Sequence, residues 1–269
     1  MEIFRKYKLL LPLIVCTIIT LILGVILWTM GGSKSPDVPD RPDAPEGSET
    51  EEDPMDNLTF KTDVSAYEPY MDVPSGEYLV LVNKTHTVDS HYGPADPVPV
   101  KDAKKSIELE RTAAKALEAM FCEMRAEGFR DVFVTSAYRS YEYQGTLFKG
   151  YVDAEIAKNP SLTDAQAREK VLRYSAYPGT SEHQTGLAVD LMTTGMRDLD
   201  ESFADYPVYD WLQENAWKFG FVLRFPEDKV NITGYDYEPW HYRFVGREDA
   251  YRMLSQNLCL EEYVEQYKK

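Results

Sequence analysis

Apolar residues recur along this chain in two rhythms, one helical and one short and continuous. Within residues 102–127, Ala113, Leu117, Met120 and Met124 fall at helical spacing and Gly128 supplies a stop, which predicts a helix there. Thr163 and Gln166 stand three apart, the spacing of a capping box, and predict the start of another helix. Residues 208–219 are amphipathic and closed by Gly220, a third helix. Short apolar runs predict strands at 77–83 (EYLVLVN), 132–135, 187–192 (LAVDLM), 221–225 and 240–245, with a Pro-rich irregular stretch over 92–100. Helices and strands alternate without βαβ spacing, so the expected fold is α+β, a small, mainly antiparallel sheet flanked by helices. No internal repeat is visible.

The N-terminus follows another pattern. Residues 9–30 form an apolar run of 22 residues without a charge, preceded by Arg5, Lys6 and Lys8. That length spans a bilayer, and the basic flank predicts a cytoplasmic tail at 1–8, a transmembrane anchor at 9–30 and an exported remainder. A cleaved signal peptide is the alternative, since Gly31, Gly32 and Ser33 are small, but the run exceeds the usual apolar core of such peptides. Residues 31–64 read as a disordered acidic linker: between positions 34 and 56, nine acids face only Lys34 and Arg41. The remainder, 65–269, reads as the extracytoplasmic domain.

Bulk composition narrows the picture. The chain of 269 residues is 43% apolar and 13% aromatic, enough for one packed catalytic domain. Its net charge of -16, with no basic stripe, argues against nucleic acid as a partner. Nothing in the sequence specifies an oligomer, and a monomer is the default. Of three cysteines, Cys16 lies in the N-terminal apolar run; Cys122 falls on an apolar helical stripe and reads as a buried free thiol, with pairing to Cys259 the alternative. The absence of a CxxC spacing speaks against a thiolate zinc site.

Only four histidines occur: His86, His91, His183 and His241. His86 and His91 read as ordinary surface residues. His183 precedes Asp190 by seven positions, and Asp190 is flanked by Val189 and Leu191, where a carboxylate is costly to bury without a cation or strong donors. Taken singly, Asp190 reads equally well as a buried, hydrogen-bonded carboxylate. His241 closes the string Glu238-Pro239-Trp240-His241. As a set, His183, Asp190 and His241 match the three N and O ligands of a zinc enzyme, which leaves a fourth position for water, and Glu238 is then placed as the general base. The helical H-E-x-x-H arrangement is absent.

The strings SAYRS (136–140), Gln144, PGTSEHQTGLAVD (178–190), the segment 211–221 and EPWHYR (238–243) together resemble the VanY-type D-alanyl-D-alanine carboxypeptidases, over roughly residues 78–246. The resemblance implies the fold shared with hedgehog signalling domains and a zinc carboxypeptidase that trims the terminal D-alanine from peptidoglycan stem peptides. It also implies zinc ligation by His183, Asp190 and His241, and Glu238 as base. Arg139 corresponds to the family's arginine for the oxyanion or the substrate carboxylate, and Gln144 and Ser181 to positions that hydrogen-bond substrate. Tyr138 and Tyr242 read as either pocket wall or core, and Trp240 as core. The stretches 151–177 and 192–207 are expected as loops around the cleft. L,D-carboxypeptidase and endopeptidase activities share these motifs, and a non-catalytic zinc-containing wall-binding module is a third reading; the latter is disfavoured by the presence of both Glu238 and Arg139.

Overall fold

A computed structural model describes Met55 and residues 57–267 of the chain; the predicted tail and anchor, and most of the predicted linker, lie outside the described residues. Among the described residues no helix is long and apolar enough to cross a membrane. In chain order the elements are α1 (Glu68–Met71), β1 (Pro97–Pro99), β2 (Glu108–Glu110), α2 (Arg111–Glu127), β3 (Val132–Ser136), α3 (Tyr141–Lys158), α4 (Asp164–Val171), β4 (Ala188–Thr193), α5 (Pro207–Asn215), β5 (Phe221–Leu223), α6 (Val230–Thr233), β6 (His241–Phe244), α7 (Arg247–Ser255) and α8 (Leu260–Tyr267).

The central sheet has the order β3-β4-β6-β5 and every pair in it is antiparallel, as is the separate β1-β2 pair. This is the expected α+β architecture with a small antiparallel sheet. The helical stripe of α2 (Ala113, Leu117, Met120, Met124), joined by Phe121, shares one core with Val134, Val189, Leu191, Phe221 and Phe244 of the sheet. Strand β4 is buried at all six positions, which explains its continuous apolar run and makes Asp190 in its middle exceptional.

Several elements depart from expectation for local reasons. The helix predicted over 102–127 starts only at Arg111, because residues 108–110 pair with β1 and Glu110 caps the helix by accepting the Ala113 N–H at 2.9 Å. The strand predicted at 77–83 does not form; the carbonyls of Tyr78 and Val80 instead accept hydrogen bonds from the buried Arg243 guanidinium, each at 2.8 Å. The stretch 151–177 is largely helical, the end of α3 and all of α4, although it does border the cleft. Helix α3 escaped detection because two of its four buried positions, Gln144 and Glu155, are polar beside Phe148 and Val152, so its inward face is not an apolar stripe. The capping box at Thr163 and Gln166 forms as predicted.

The helix predicted over 208–219 is α5 followed by a 3-10 turn at Ala216–Phe219. Gly220 closes it at φ 82°, where an added Cβ would lie 2.7 Å from the Phe244 ring. Cys122 and Cys259 are both free, but Cys122 is exposed rather than buried. It lies two residues from both Met120 and Met124 and therefore points away from the face they bury.

Candidate active site

Asp190 and His241 are Cα partners across the ladder between β4 and β6, so their side chains emerge side by side on one face of the sheet. Asp190 Oδ1 lies 3.0 Å from His241 Nδ1. His183 arrives from the 3-10 turn Glu182–Thr185 that leads into β4. Gly186 ends that turn at φ 71°, and a Cβ there would stand 2.9 Å from Pro94. The spacing His183-x-x-Gly186 is thus a backbone requirement that aims the histidine at the strand it precedes.

The His183 imidazole is held on one nitrogen and open on the other. His183 Nδ1 lies 2.6 Å from the Ala137 carbonyl, which places its proton there and leaves Nε2 as a lone pair 3.2 Å from Asp190 Oδ2. His183 and His241 meet edge to face, with ring centroids 4.9 Å apart. One ligand atom from each of His183, Asp190 and His241 can be chosen so that all lie within 4.8 Å of one another, and all three residues are buried. His183 Nε2 and Asp190 Oδ1 are buried without a hydrogen-bond partner. Buried polar atoms are rarely left so, and nitrogen and carboxylate oxygen at this separation are the donor set a zinc ion accepts. The residues fit the ion.

Glu238 lies just before His241, with Oε2 3.5 Å from His241 Nδ1. Burial pushes its carboxyl up to about 7; His241 opposes that and Asp190 adds to it. A carboxylate poised there can both take and return a proton near neutral pH. Burial, with Arg139 adding to it, holds His183 down to about 4, so its ring is neutral and able to coordinate. Burial resists charge on Asp190 too, but the two histidines keep it well below the usual carboxylate range.

The set opens into a cleft of about 640 Å³, within the range of about 300–1,000 Å³ typical of ligand sites. Arg139, Tyr151, Tyr174, Ser181, Tyr235 and Trp240 are among its walls. Arg139 follows β3, its N–H donating to the His183 carbonyl at 3.1 Å; it forms no ion pair among the described residues, and its Nε is buried without a partner. Ser181 is buried on the wall beside Glu182. Gln144 stands behind the wall instead: its Nε2 donates to the carbonyl of Ala176, a lining residue, at 2.7 Å. Trp240, expected in the core, is half-buried: it packs against the core and also lines the cleft, whereas Tyr242 is fully buried. His86 and His91 lie outside the metal set.

Three charged residues at the site went unassigned in the sequence. Glu182 is buried behind His241, where Arg224 Nε and Arg243 Nη1 donate to its Oε1 at 2.7 and 2.9 Å. Burial opposes the Glu182 charge, but the two guanidiniums hold its carboxyl far below the ordinary range. The signal was present: Arg243 lies between Tyr242 and Phe244, a setting that requires a buried acid, and Glu182 adjoins His183.

Fold and site together define a zinc-dependent hydrolase. The profile of the VanY family, D-alanyl-D-alanine carboxypeptidase, matches residues 106–247. The chain is 39% identical over 199 residues to the putative carboxypeptidase YodJ of Bacillus subtilis, covering 71% of this chain and 68% of that protein. It is 38% identical over 188 residues to a D-alanyl-D-alanine carboxypeptidase of Enterococcus faecalis, covering 69% and 65%. Among solved structures, VanYB in complex with D-alanine-D-alanine is 37% identical with a TM-score of 0.60, covering 70% of this chain and 97% of that one. A mutant of the vancomycin resistance D,D-pentapeptidase VanY in complex with Zn(II) is 37% identical with a TM-score of 0.59, covering 70% and 98%. The LD-carboxypeptidase LdcB is also 37% identical with a TM-score of 0.59, covering 69% and 84%.

The chain belongs to the VanY D-alanyl-D-alanine carboxypeptidase family. It is a zinc metallopeptidase.

Proposed function

We propose that this enzyme is a D,D-carboxypeptidase that removes the terminal D-alanine from peptidoglycan stem peptides, with His183, Asp190 and His241 holding the zinc. The observation that carries the catalytic assignment is the placement of Glu238, a buried carboxyl held near 7 and 3.5 Å from the metal-facing nitrogen of His241. When bound, zinc supplies a Lewis acid that polarises the scissile carbonyl and lowers the pKa of water. Glu238 takes the proton of the attacking water and returns it to the amine of the departing D-alanine. Arg139, a cleft-lining guanidinium without an internal carboxylate partner, neutralises the negative charge of the peptide terminus or of the oxyanion. Ser181 offers a hydroxyl to the substrate from the same wall, and Gln144 acts by supporting the Ala176 carbonyl.

The substrate assignment is supported by relatives whose names carry D-alanyl-D-alanine carboxypeptidase activity and by a solved structure of one such protein with D-alanine-D-alanine. The apolar run at 9–30 with its basic flank supports a single-pass anchor that leaves the catalytic domain outside the cell membrane, facing the wall. A second reading, L,D-cleavage of tetrapeptides, is favoured by the likeness to LdcB. Incubation with defined tetra- and pentapeptide stems separates the two. Loss of one D-alanine from the pentapeptide alone supports D,D-cleavage; an untouched pentapeptide beside a shortened tetrapeptide overturns it.

A further inference from the structure

The nitrogen of His241 that faces away from Asp190 has a partner in waiting. Its Nε2 lies 3.7 Å from Glu182 Oε2, beyond hydrogen-bond distance, and both atoms are buried without a hydrogen-bond partner. Glu182 is held in that position by its other oxygen, which both Arg224 and Arg243 contact. Arg224 is in turn clamped by two bonds to Glu261 of α8, Nη1 to Oε2 at 2.8 Å and Nη2 to Oε1 at 2.6 Å. Asn83 Nδ2 donates to the same Glu261 at 3.0 Å. Two acids and two arginines cancel in charge, which is what allows the cluster to be buried. Glu261 lies beyond residues 106–247, the span of the family profile.

Resting on the reading that His183, Asp190 and His241 hold zinc, we propose that Glu182 is a positioning residue for His241, and that α8 holds it in place through Glu261 and Arg224. The Glu182 carboxylate, 3.7 Å from Nε2, favours a proton on that nitrogen by its charge, so the lone pair belongs to Nδ1, the nitrogen that faces Asp190 and Glu238. Ala137 does the same for His183 with a backbone carbonyl. The two imidazole ligands are thus fixed by opposite nitrogens, Nε2 of His183 and Nδ1 of His241. The C-terminal helix becomes part of the metal site's support rather than an appendage.

The test is the zinc dissociation constant of the full-length protein, measured by competition with a chromophoric chelator alongside the thermal unfolding midpoint. Glu182→Gln should weaken zinc binding by roughly 10- to 100-fold, the usual cost of losing an outer partner of a metal ligand, and Glu261→Gln by less. Arg247→Lys is the control: the buried Arg247 anchors the Lys218 carbonyl, Glu68 and Asp72 in a network that includes neither α8 nor the metal ligands. It should lower the unfolding midpoint and leave zinc affinity unchanged. Zinc affinity within about twofold of wild type in folded Glu182→Gln protein overturns the inference. Should that variant not fold, unchanged affinity in Glu261→Gln overturns it. An equal loss in Arg247→Lys overturns it too, because the effect is then general loosening. A wild-type protein that binds no zinc contradicts the metal site itself, a different failure.

Discussion

Asp190 and His241 are directly opposed across the β4-β6 ladder, and their side chains meet with Oδ1 and Nδ1 3.0 Å apart. The ladder's register therefore sets this part of the proposed metal site, and a slip by one residue would turn Asp190 into the opposite face. Replacing the carboxylate while keeping its shape, Asp190→Asn, should weaken zinc binding beyond the roughly 10- to 100-fold cost of losing an outer partner. Zinc content after dialysis against a weak chelator checks it.

Zinc binding should depend on pH in a way specific to this site. Burial disfavours the His241 cation, but Asp190 and Glu182 outweigh it and raise the ring to about 9, so zinc must displace a proton there. His183, held down to about 4, is uncharged near neutrality and has no proton to release from its open nitrogen. Apparent affinity should therefore rise by about tenfold per pH unit through neutrality and level off only near 9. Two ordinary imidazoles would level off near about 7. Chelator competition across that range distinguishes the two.

Arg139→Ala should lower kcat/KM for D-alanine release by about 10²- to 10³-fold, the loss typical of one charge-stabilising donor, with zinc content unchanged. A loss confined to KM assigns the guanidinium to the peptide terminus, and one confined to kcat assigns it to the oxyanion. Steady-state kinetics on a pentapeptide stem read both.

Gly186→Ala forces a side chain into a left-handed turn against Pro94. It should destabilise the fold by about 1–3 kcal/mol in urea unfolding. Because the same turn presents His183, zinc affinity should fall with it, whereas Gly220→Ala, away from the site, should cost stability alone.

What was legible in the sequence tracked how local each signal was. Strands β3, β4, β5 and β6 read from their apolar runs, and Asp190 was conspicuous because a carboxylate in such a run requires a partner. Helix α3 was not readable, since the polar face of Gln144 and Glu155 is completed by the Ala176 carbonyl and Lys170, 32 and 15 positions away. The false strand at 77–83 has the same cause: Arg243, over 160 positions away, takes its carbonyls. Glu182, Arg224 and Glu261 became a network only in three dimensions. The four residues proposed for zinc and base, by contrast, occur in two short strings that the sheet brings together.

The central claim is that Glu238 acts as the base beside a zinc held by His183, Asp190 and His241. Glu238→Gln, which keeps shape and removes the basic oxygen, tests it when zinc content and pentapeptide hydrolysis are measured on the same sample. The account predicts zinc at the wild-type level and hydrolysis reduced by about 10²- to 10⁴-fold, the range for general acid–base catalysis. Hydrolysis at the wild-type rate with zinc in place would contradict it.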